Sequence, residues 1–328
     1  MVSEPKRLPL ALLPTPLHRL NGLSEMLGVD LWIKRDDLTG FAMGGNKARK
    51  LEYLMAEIVE SGYDAVVTCG STQSNFVRQL GTACAMHGVA CIAVVMDLPF
   101  PDGGEAPIYL GGGHEGGNLV LDQLANVQID RIEDGPWSAL ELRAAMVSQD
   151  LRTKGHRVYE IPIGGSTPLG AFGFWKAGQE LAAQADPFDF IVTASSSGST
   201  QAGLGHYFHG SSTRVVGVSA DDEPEIVDDI VTLARGLDRL TGQDKRMSKS
   251  DFDFRLDYAF PGYGVPSMET WDAIHLMLHR EGIVLDPVYS GKAFFGLLHM
   301  VDQLGMQGRI LFWHTGGMPS LFTHSHVD

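Results

Sequence analysis

Short apolar runs alternate with longer amphipathic stretches along most of this chain, and this alternation constrains the fold more than any other feature. Most of the runs are apolar along their length rather than at every second position, as in parallel strands buried on both faces. They predict strands at residues 30–35, 65–69, 90–96, 127–132, 157–161, 188–193, 213–219 and 309–313. Helices are predicted between them at residues 48–61, 75–87, 118–125, 137–154, 169–185, 201–208, 223–240, 268–281 and 291–304. Such alternation predicts an α/β fold with mostly parallel sheets. The Gly- and Pro-rich residues 97–117 and the polar residues 243–255 are expected to be exposed loops.

Polar loops follow two of the predicted strands. The strand at 65–69 leads into STQSN at residues 71–75, and the strand at 188–193 leads into SSSGST at residues 195–200. Because open α/β sheets bind ligands at the carboxyl ends of their strands, the two loops are expected to form walls of one site.

Each loop allows two interpretations. Residues 71–75 can bind a carboxylate through hydroxyl and backbone N–H groups, or can supply an ordinary helix cap. Residues 195–200 can hold a phosphate at a helix start, or can form a simple strand–helix turn. The second loop is neither a P-loop nor a GxGxxG motif, so nucleotide binding is less supported.

A third segment, GGNKARK at residues 44–50, lies between a strand and a helix. A lysine beside two glycines at a helix start is a candidate nucleophile for a carbonyl cofactor. A surface lysine after a flexible turn is the alternative, and this segment alone favours it. His206 and His209 are spaced for a metal pair, but no recognisable carboxylate motif accompanies them. They are predicted to be ordinary helix residues, and no metal site is expected.

Composition excludes several classes of function. The 328 residues carry a formal net charge of −15, and no basic stripe occurs that could bind nucleic acid. No charge-free apolar run is long enough to span a bilayer, and the N-terminus is a poor match to a signal peptide. Three cysteines, an odd and sparse number, indicate reduced thiols rather than a disulfide framework. A cytoplasmic protein without nucleic-acid or membrane partners is therefore expected.

Seven motifs taken together, in order, give a more specific indication. They are LPTPL at residues 13–17, IKRDD at 33–37, GGNK at 44–47, TQSN at 72–75, GSTQAG at 198–203, DPVYSGK at 286–292 and HTGG at 314–317. The ordered set resembles the fold type II, tryptophan-synthase-β-like family of pyridoxal-phosphate enzymes. Within that family the chain is similar to the branch of D-cysteine desulfhydrase, L-cysteate sulfo-lyase and 1-aminocyclopropane-1-carboxylate deaminase.

The resemblance implies an architecture. Two open, twisted parallel-sheet domains are expected, with the smaller inserted in the larger and the cofactor, pyridoxal phosphate, in the cleft between them. The large cofactor-binding domain would comprise residues 1–47 and 161–328, and the small domain residues 48–160. A homodimer acting on a small amino acid is expected.

The resemblance also implies roles for individual residues. Lys47 would carry the cofactor as a Schiff base, and Asn75 would bind its phenolic oxygen. Gln73 and Ser74 would meet the substrate carboxylate, with Tyr289 facing the substrate from the other side. The phosphate would be held by Ser197, Gly198, Ser199 and Thr200, and Thr315 would lie against the pyridine nitrogen. Two positions depart from the family pattern: Phe76, where relatives often carry His or Gln, and Ser199, where Gly is expected.

The expected chemistry is α,β-elimination from a sulfur-bearing amino acid, giving pyruvate, ammonia and a sulfur anion. Freed Lys47 is the expected base, with Ser74 and Tyr289 as competitors. The ring-opening deaminases carry Glu and Leu where this chain has Ser290 and Thr315, which favours sulfur elimination, with D-cysteine slightly ahead of cysteate. Cysteate cleavage, cyclopropane ring opening and non-catalytic cofactor binding are the alternatives.

Overall fold

The computed structural model describes residues 3–104 and 115–324, and it has two sheets. The order of the six-stranded sheet is β1 (Leu17–Arg19), β2 (Asp30–Arg35), β10 (Arg309–His314), β7 (Phe190–Ala194), β8 (Arg214–Val218) and β9 (Asp253–Arg255). Only β1 is antiparallel to its neighbour in this sheet of described strands. The second sheet has four parallel strands in the order β5 (Gln128–Arg131), β4 (Ala90–Met96), β3 (Ala65–Ser71) and β6 (Val158–Glu160).

Ten α-helices in the described residues cover or connect these strands. They are α1 (Asn21–Leu27), α2 (Lys47–Glu60), α3 (Asn75–His87), α4 (Gly117–Leu124), α5 (Trp137–Thr153), α6 (Pro168–Gln184), α7 (Ser199–Phe208), α8 (Ile226–Thr241), α9 (Met268–Glu281) and α10 (Ser290–Asp302). The predicted α/β class with parallel-dominated sheets is confirmed. No helix in the described part of the chain is long and apolar enough to cross a bilayer.

Three short elements escaped the sequence analysis: α1, β1 and β9. The expectation of an exposed loop at residues 243–255 was wrong in part, because β9 joins the sheet edge and Met247 and Phe252 are buried. These two side chains pack in one apolar cluster with α8. Of the loop predicted at 97–117, residues 105–114 lie outside the described residues.

The two sheets take their strands from different parts of the chain. All four strands of the smaller sheet lie between residues 65 and 160, whereas the larger sheet combines strands from both ends of the chain. Helix α2 contacts both parts: Leu51 and Leu54 pack in a cluster with β3 and α3, whereas Tyr53 packs against Phe172 of α6. The domain boundary near residue 48 therefore stays a prediction.

A buried ionic network fixes α2 against the larger sheet. Arg49 donates to both oxygens of Asp36, at 2.8 Å each, and also to the carboxylate of Glu180 on α6. Lys34 of β2 donates to Glu180 at 2.5 Å, and the indole of Trp313 donates to Asp36 at 2.9 Å. A buried pair of this kind gives little net stability, but removing one partner leaves an uncompensated charge and costs about 3–5 kcal/mol. The network therefore holds the start of α2, where Lys47 lies, in one position.

Candidate active site

A cleft with about 690 Å³ of empty space lies where the carboxyl ends of strands from both sheets meet. It receives the loops that follow β3 and β7 and the segment that follows β10. Eight of the ten predicted site residues line it: Lys47, Ser74, Asn75, Ser197, Gly198, Thr200, Tyr289 and Thr315. Gln73 and Ser199 are not among the lining residues.

Lys47 is the first residue of α2, and it is the one lysine or arginine among the described residues that line the cleft. Its Nζ donates to Asn46 Oδ1 at 3.0 Å. Desolvation lowers the pKa of Lys47 to about 8, an effect opposed by the charge of Asp286 and assisted by that of Arg78. A desolvated amine with such a pKa is partly neutral near physiological pH, as a nucleophile or base must be.

The loop after β3 places two side chains on the cleft. Ser74 caps α3, since its Oγ accepts from Val77 N at 3.3 Å, so the ordinary capping interpretation holds. Because that oxygen acts as an acceptor, its O–H stays available as a donor to a ligand. Asn75 follows at the first helical position and is buried. Gln73 instead contacts α4: its Oε1 accepts from Asn118 N at 2.9 Å.

The loop after β7 has the character of an anion cradle. Gly198 adopts a left-handed conformation with φ of 80° and starts α7 without a side-chain cap. The first amide groups of a helix have no intrahelical partner, and they attract negative charge. Thr200 Oγ1 accepts from Asn46 Nδ2 at 3.2 Å, which leaves the Thr200 O–H free to donate. Ser195 Oγ is buried and has no hydrogen-bond partner among the described residues.

Ser199 belongs to the structure around this loop rather than to the cleft. Its Oγ lies 3.2 Å from Ser166 Oγ, and the Ser166 hydroxyl donates to Ser197 O at 2.6 Å. The serine at the position where the family pattern has Gly thus braces the loop from outside.

The turn at residues 163–165 also contributes to the cleft, next to the loop after β7. Gly165 has φ of 67°, and a Cβ there would collide with the ring of Phe76. Phe76 is buried and lines the cleft. Lys50, one turn after Lys47, donates to Gly164 O at 2.8 Å. Burial, and then the charge of Lys47, lower the pKa of Lys50 well below its ordinary value.

Aromatic side chains close the other end of the cleft. The hydroxyls of Tyr289 and Tyr263 are hydrogen-bonded to each other, and Tyr263 Oη also lies 3.2 Å from Ser71 Oγ. Burial raises the pKa of Tyr289 well above its ordinary value, so it stays protonated at neutral pH. Trp137 packs edge-on against Tyr263, and its indole N–H donates to Asp221 at 3.0 Å.

Thr315 and Ser290 occupy different environments. Thr315 lines the cleft, and its carbonyl accepts from Asn46 N at 2.9 Å. Ser290 is buried away from the lining, where its Oγ donates to Asp286 Oδ2 at 2.5 Å. Asp286 also accepts from the backbone amides of Val288 and Tyr289. Ser290 therefore acts on the site through Asp286 and the Tyr289 turn.

Sequence reasoning missed Asn46, Lys50, Trp137 and Tyr263 as residues of this site. Asn46 and Lys50 could have been predicted, because both belong to the GGNKARK segment. Trp137 and Tyr263 come from the start of α5 and from a loop after β9, and no local pattern marks them.

The pair His206 and His209 shows no metal-binding geometry. His206 is buried, with Nε2 2.9 Å from Asp238 Oδ1, whereas His209 Nδ1 lies 3.9 Å from Asp251. Within residues 3–104 and 115–324 no group of His, Cys, Asp and Glu is arranged to hold a metal ion.

The donors of the cleft fit pyridoxal phosphate. The orphaned Ser195 hydroxyl and the uncapped start of α7 suit a phosphate, and Lys47 suits its aldehyde. The loop after β7 contains no basic side chain, so N–H groups and hydroxyls are the donors that it offers.

Comparisons with known proteins agree with this chemistry. A family model described as "Pyridoxal-phosphate dependent enzyme" matches residues 8–316. D-cysteine desulfhydrases of Salmonella newport (strain SL254) and Salmonella enteritidis PT4 are each 39% identical over 336 residues, with 98% of this chain and 97% of the relative covered.

Solved structures show the same relationship. The crystal structure of an ACC deaminase homologue matches with a TM-score of 0.87 and 33% identity, covering 97% of this chain and 93% of that one. An O-ureido-L-serine synthase shares the fold, with a TM-score of 0.64 at 16% identity and coverage of 94% and 90%. On the extent of the family match and the identity to full-length relatives, this chain belongs to the pyridoxal-phosphate dependent enzyme family.

Proposed function

We propose that this enzyme cleaves the carbon–sulfur bond of D-cysteine, converting D-cysteine and water to pyruvate, ammonia and hydrogen sulfide. Identity of 39% to D-cysteine desulfhydrases over nearly the whole chain supports this substrate. The observation that carries the proposal is a single desolvated lysine, Lys47, in a cleft whose other side is lined by the hydroxyls of Ser74 and Tyr289.

Pyridoxal phosphate, when bound, supplies an electron sink that acidifies the α-proton of an amino acid. We assign its phosphate to Ser195, Ser197, Gly198 and Thr200, its phenolic oxygen to Asn75 and its carbonyl carbon to Lys47. Thr315, on the wall after β10, is assigned to the pyridine nitrogen. A neutral hydroxyl there does not enforce protonation of the ring as a carboxylate would.

The chain's own groups divide the remaining work. Ser74 O–H and the first amide groups of α3 would bind the substrate carboxylate, while Gln73 steadies the loop through α4. Lys47 Nζ, when neutral, can take the proton from the substrate α-carbon. Tyr289 keeps its proton and can donate a hydrogen bond to the departing sulfur.

The charge of the cleft favours a thiol over a sulfonate as leaving group. Cysteate carries a second fixed negative charge, and burying it without a partner is costly. Among the described lining residues no cationic side chain besides Lys47 is present to meet that charge. L-cysteate cleavage is therefore the weaker alternative.

Cyclopropane ring opening is the second candidate, since the chain resembles the solved ACC deaminase homologue. Ser290, which replaces the carboxylate expected in ring-opening enzymes, is buried against Asp286 and presents no acid to the cleft. This argues for elimination. A protein that only binds the cofactor would have no use for a lysine of lowered pKa in the same cleft as the hydroxyls of Ser74 and Tyr289.

A substrate panel tests the proposal. The purified protein with bound cofactor would be incubated with D-cysteine, L-cysteine, β-chloro-D-alanine, cysteate and 1-aminocyclopropane-1-carboxylate, and pyruvate, 2-oxobutyrate and sulfide would be quantified. D-cysteine should give equal amounts of pyruvate and sulfide at the highest kcat/KM. If 1-aminocyclopropane-1-carboxylate gave 2-oxobutyrate and neither cysteine gave sulfide, the result would instead support the deaminase. If no substrate were turned over, the result would support a protein that only binds the cofactor.

We further propose that the enzyme is a homodimer. Phe260, Met268 and Phe322 are each more than 70% exposed. Their segments are neighbours, since His324 contacts Gly264 O at 3.1 Å and packs against Trp271. Exposed apolar side chains grouped in this way are typical of protein–protein contacts. Sedimentation equilibrium should give twice the mass of 35.6 kDa, and Phe322→Asp should give the monomer.

The proposed location is the cytoplasm, where buried free thiols such as Cys69, Cys84 and Cys91 stay reduced. Fractionation of cells that express the full-length protein would test this location.

A further inference from the structure

Two buried residues outside the cleft hold the side-chain amide of Asn75. Arg78 Nη2 donates to Asn75 Oδ1 at 3.3 Å, and Asn118 Nδ2 donates to the same oxygen at 3.1 Å. Arg78 and Asn118 are fully buried, and neither lines the cleft. Asn118 belongs to α4, on the far side of Asn75 from the ligand space.

The direction of each amide in this group is determined by chemistry. A guanidinium has donors and no acceptor, so the amide atom that it hydrogen-bonds must be the oxygen and not the NH₂ group. Arg78 Nε lies 2.6 Å from Asn118 Oδ1, which fixes that oxygen and leaves the Asn118 NH₂ to face Asn75. Asn75 therefore turns its oxygen to the protein interior, and its NH₂ group is left to donate into the cleft.

The same guanidinium also holds the loop that leads to Lys47. Arg78 donates to the carbonyls of Ala42 and Gly44, the latter at 3.2 Å. Gly45 follows with φ of 121°, a conformation that favours glycine. One buried cation thus connects the helix start that carries Asn75 to the turn that carries Lys47.

The charge of Arg78 is retained in this buried position. Burial lowers its pKa to about 10, with Asp122 of α4 opposing that effect, so Arg78 is protonated at neutral pH. A positive charge directly behind Asn75 strengthens the hydrogen bond that its amide can give to an anionic oxygen.

We propose that Arg78 and Asn118 are positioning residues that fix the Asn75 amide as a donor toward the cofactor's phenolic oxygen, and thereby set cofactor affinity and absorbance. This inference rests on the proposed function, because it takes the cofactor to lie with that oxygen at Asn75. It adds a second layer of control from α4, an element that has no residue in the cleft.

Asn118→Asp is the sharpest test. It keeps the size of the side chain and the acceptor for Arg78, but it replaces the NH₂ group that donates to Asn75 Oδ1 and to Gln73 O with an oxygen. The amide of Asn75 should then turn, and its donation into the cleft is lost. We expect cofactor affinity to fall about tenfold, the loss of one hydrogen bond to a charged group, with a shift of the visible absorption band. Asn118→Ala serves as a second variant should the aspartate perturb folding.

Gln184→Ala is a control remote from the cleft. The side chain of Gln184 is exposed, but its amide also donates to an oxygen, Thr15 O at 3.0 Å, and accepts from a buried cation, Lys34. It should lower the melting temperature without changing cofactor affinity or absorbance. A double-mutant cycle completes the design: in an Asn75→Ala background, Asn118→Asp should have no further effect on affinity or absorbance.

Two results would overturn the inference and leave the proposed function intact. One is equal affinity and absorbance for Asn118→Asp and the wild-type enzyme. The other is an additive effect in the Asn75→Ala background. Failure of the wild-type protein to bind pyridoxal phosphate at Lys47 would instead overturn the proposed function, and this inference with it.

Discussion

The starts of helices α3 and α7 look alike in sequence but are built differently. Each follows a buried parallel strand and a run of hydroxyl-bearing residues. At α3, Ser74 caps the helix through its side chain. At α7, left-handed Gly198 leaves the first turn without a side-chain cap, and Ser199 turns toward Ser166.

Because of this difference, we assign different ligand groups to the two helix starts. The uncapped start of α7 offers bare N–H groups, which suit a phosphate whose oxygens accept from several directions. The capped start of α3 offers oriented side chains, which suit the directional contacts of a carboxylate and a phenolic oxygen. A buried cation, Arg78 of α3, lies behind Asn75, whereas the start of α7, to which we assign the phosphate, has no basic side chain in its loop.

The largest effect is expected from Ser74→Ala. If Ser74 binds the substrate and takes part in proton transfer, kcat/KM for D-cysteine should fall about a hundredfold. The lost cap should cost about 1 kcal/mol of stability as well. Ser267→Ala is the control, because Ser267 caps α9 in the same way, accepting from Thr270 N at 3.2 Å. Ser267→Ala should lower stability as much as Ser74→Ala does and leave activity unchanged. If both variants lost the same activity, Ser74 would be shown to act only as a helix cap.

A smaller effect is expected from Thr200→Val at the other helix start. The Thr200 hydroxyl is free to donate to the phosphate, so its loss should raise the Kd for pyridoxal phosphate about tenfold. Ser199→Ala removes a neighbouring hydroxyl that bonds to Ser166 outside the cleft, and it should raise this Kd much less than Thr200→Val does. Equilibrium titration followed by fluorescence would measure both. Equal Kd values for Thr200→Val and the wild type would place the phosphate elsewhere.

The smallest effect concerns the pH at which the cofactor-free protein takes up pyridoxal phosphate. Only neutral Lys47 can react, and its pKa is about 8, so the rate should rise with pH and level off above about 8. The charge of Arg78 lowers the pKa of Lys47, so Arg78→Met should move the midpoint upward, by less than about one pH unit. Stopped-flow absorbance would follow the uptake. A rate still rising above pH 10 in the wild type would show Lys47 to be an ordinary solvated lysine.

The sequence predicted the scaffold well because the central strands, such as β3 and β4, are seven residues long, apolar and buried, and because strands alternate with helices. Strand β3 is buried at every one of its seven residues, and such runs are hard to mistake. Strands β1 and β9 have three residues each and depend on neighbours distant in the chain, so no local signal marks them.

Side-chain direction limited what could be predicted of the site. Gln73 and Ser199 lie in the expected loops, but tertiary contacts with α4 and Ser166 turn them elsewhere. Ser290 stands where the ring-opening deaminases carry Glu, but its hydroxyl is bonded to Asp286 and does not line the cleft. Tyr263 lines the cleft from the loop after β9, and Asn118 contacts Asn75 from α4. No local sequence pattern marks either residue, so only the folded structure reveals them.

Covalent labelling of Lys47 tests the central claim most directly. The holoenzyme would be reduced with borohydride and digested, and the pyridoxyl-bearing peptide would be identified by mass spectrometry. The label should lie on Lys47 alone, and Lys47→Ala should carry none and lose turnover. A label on Lys50, the buried neighbour one turn away, or on any other lysine would contradict the account.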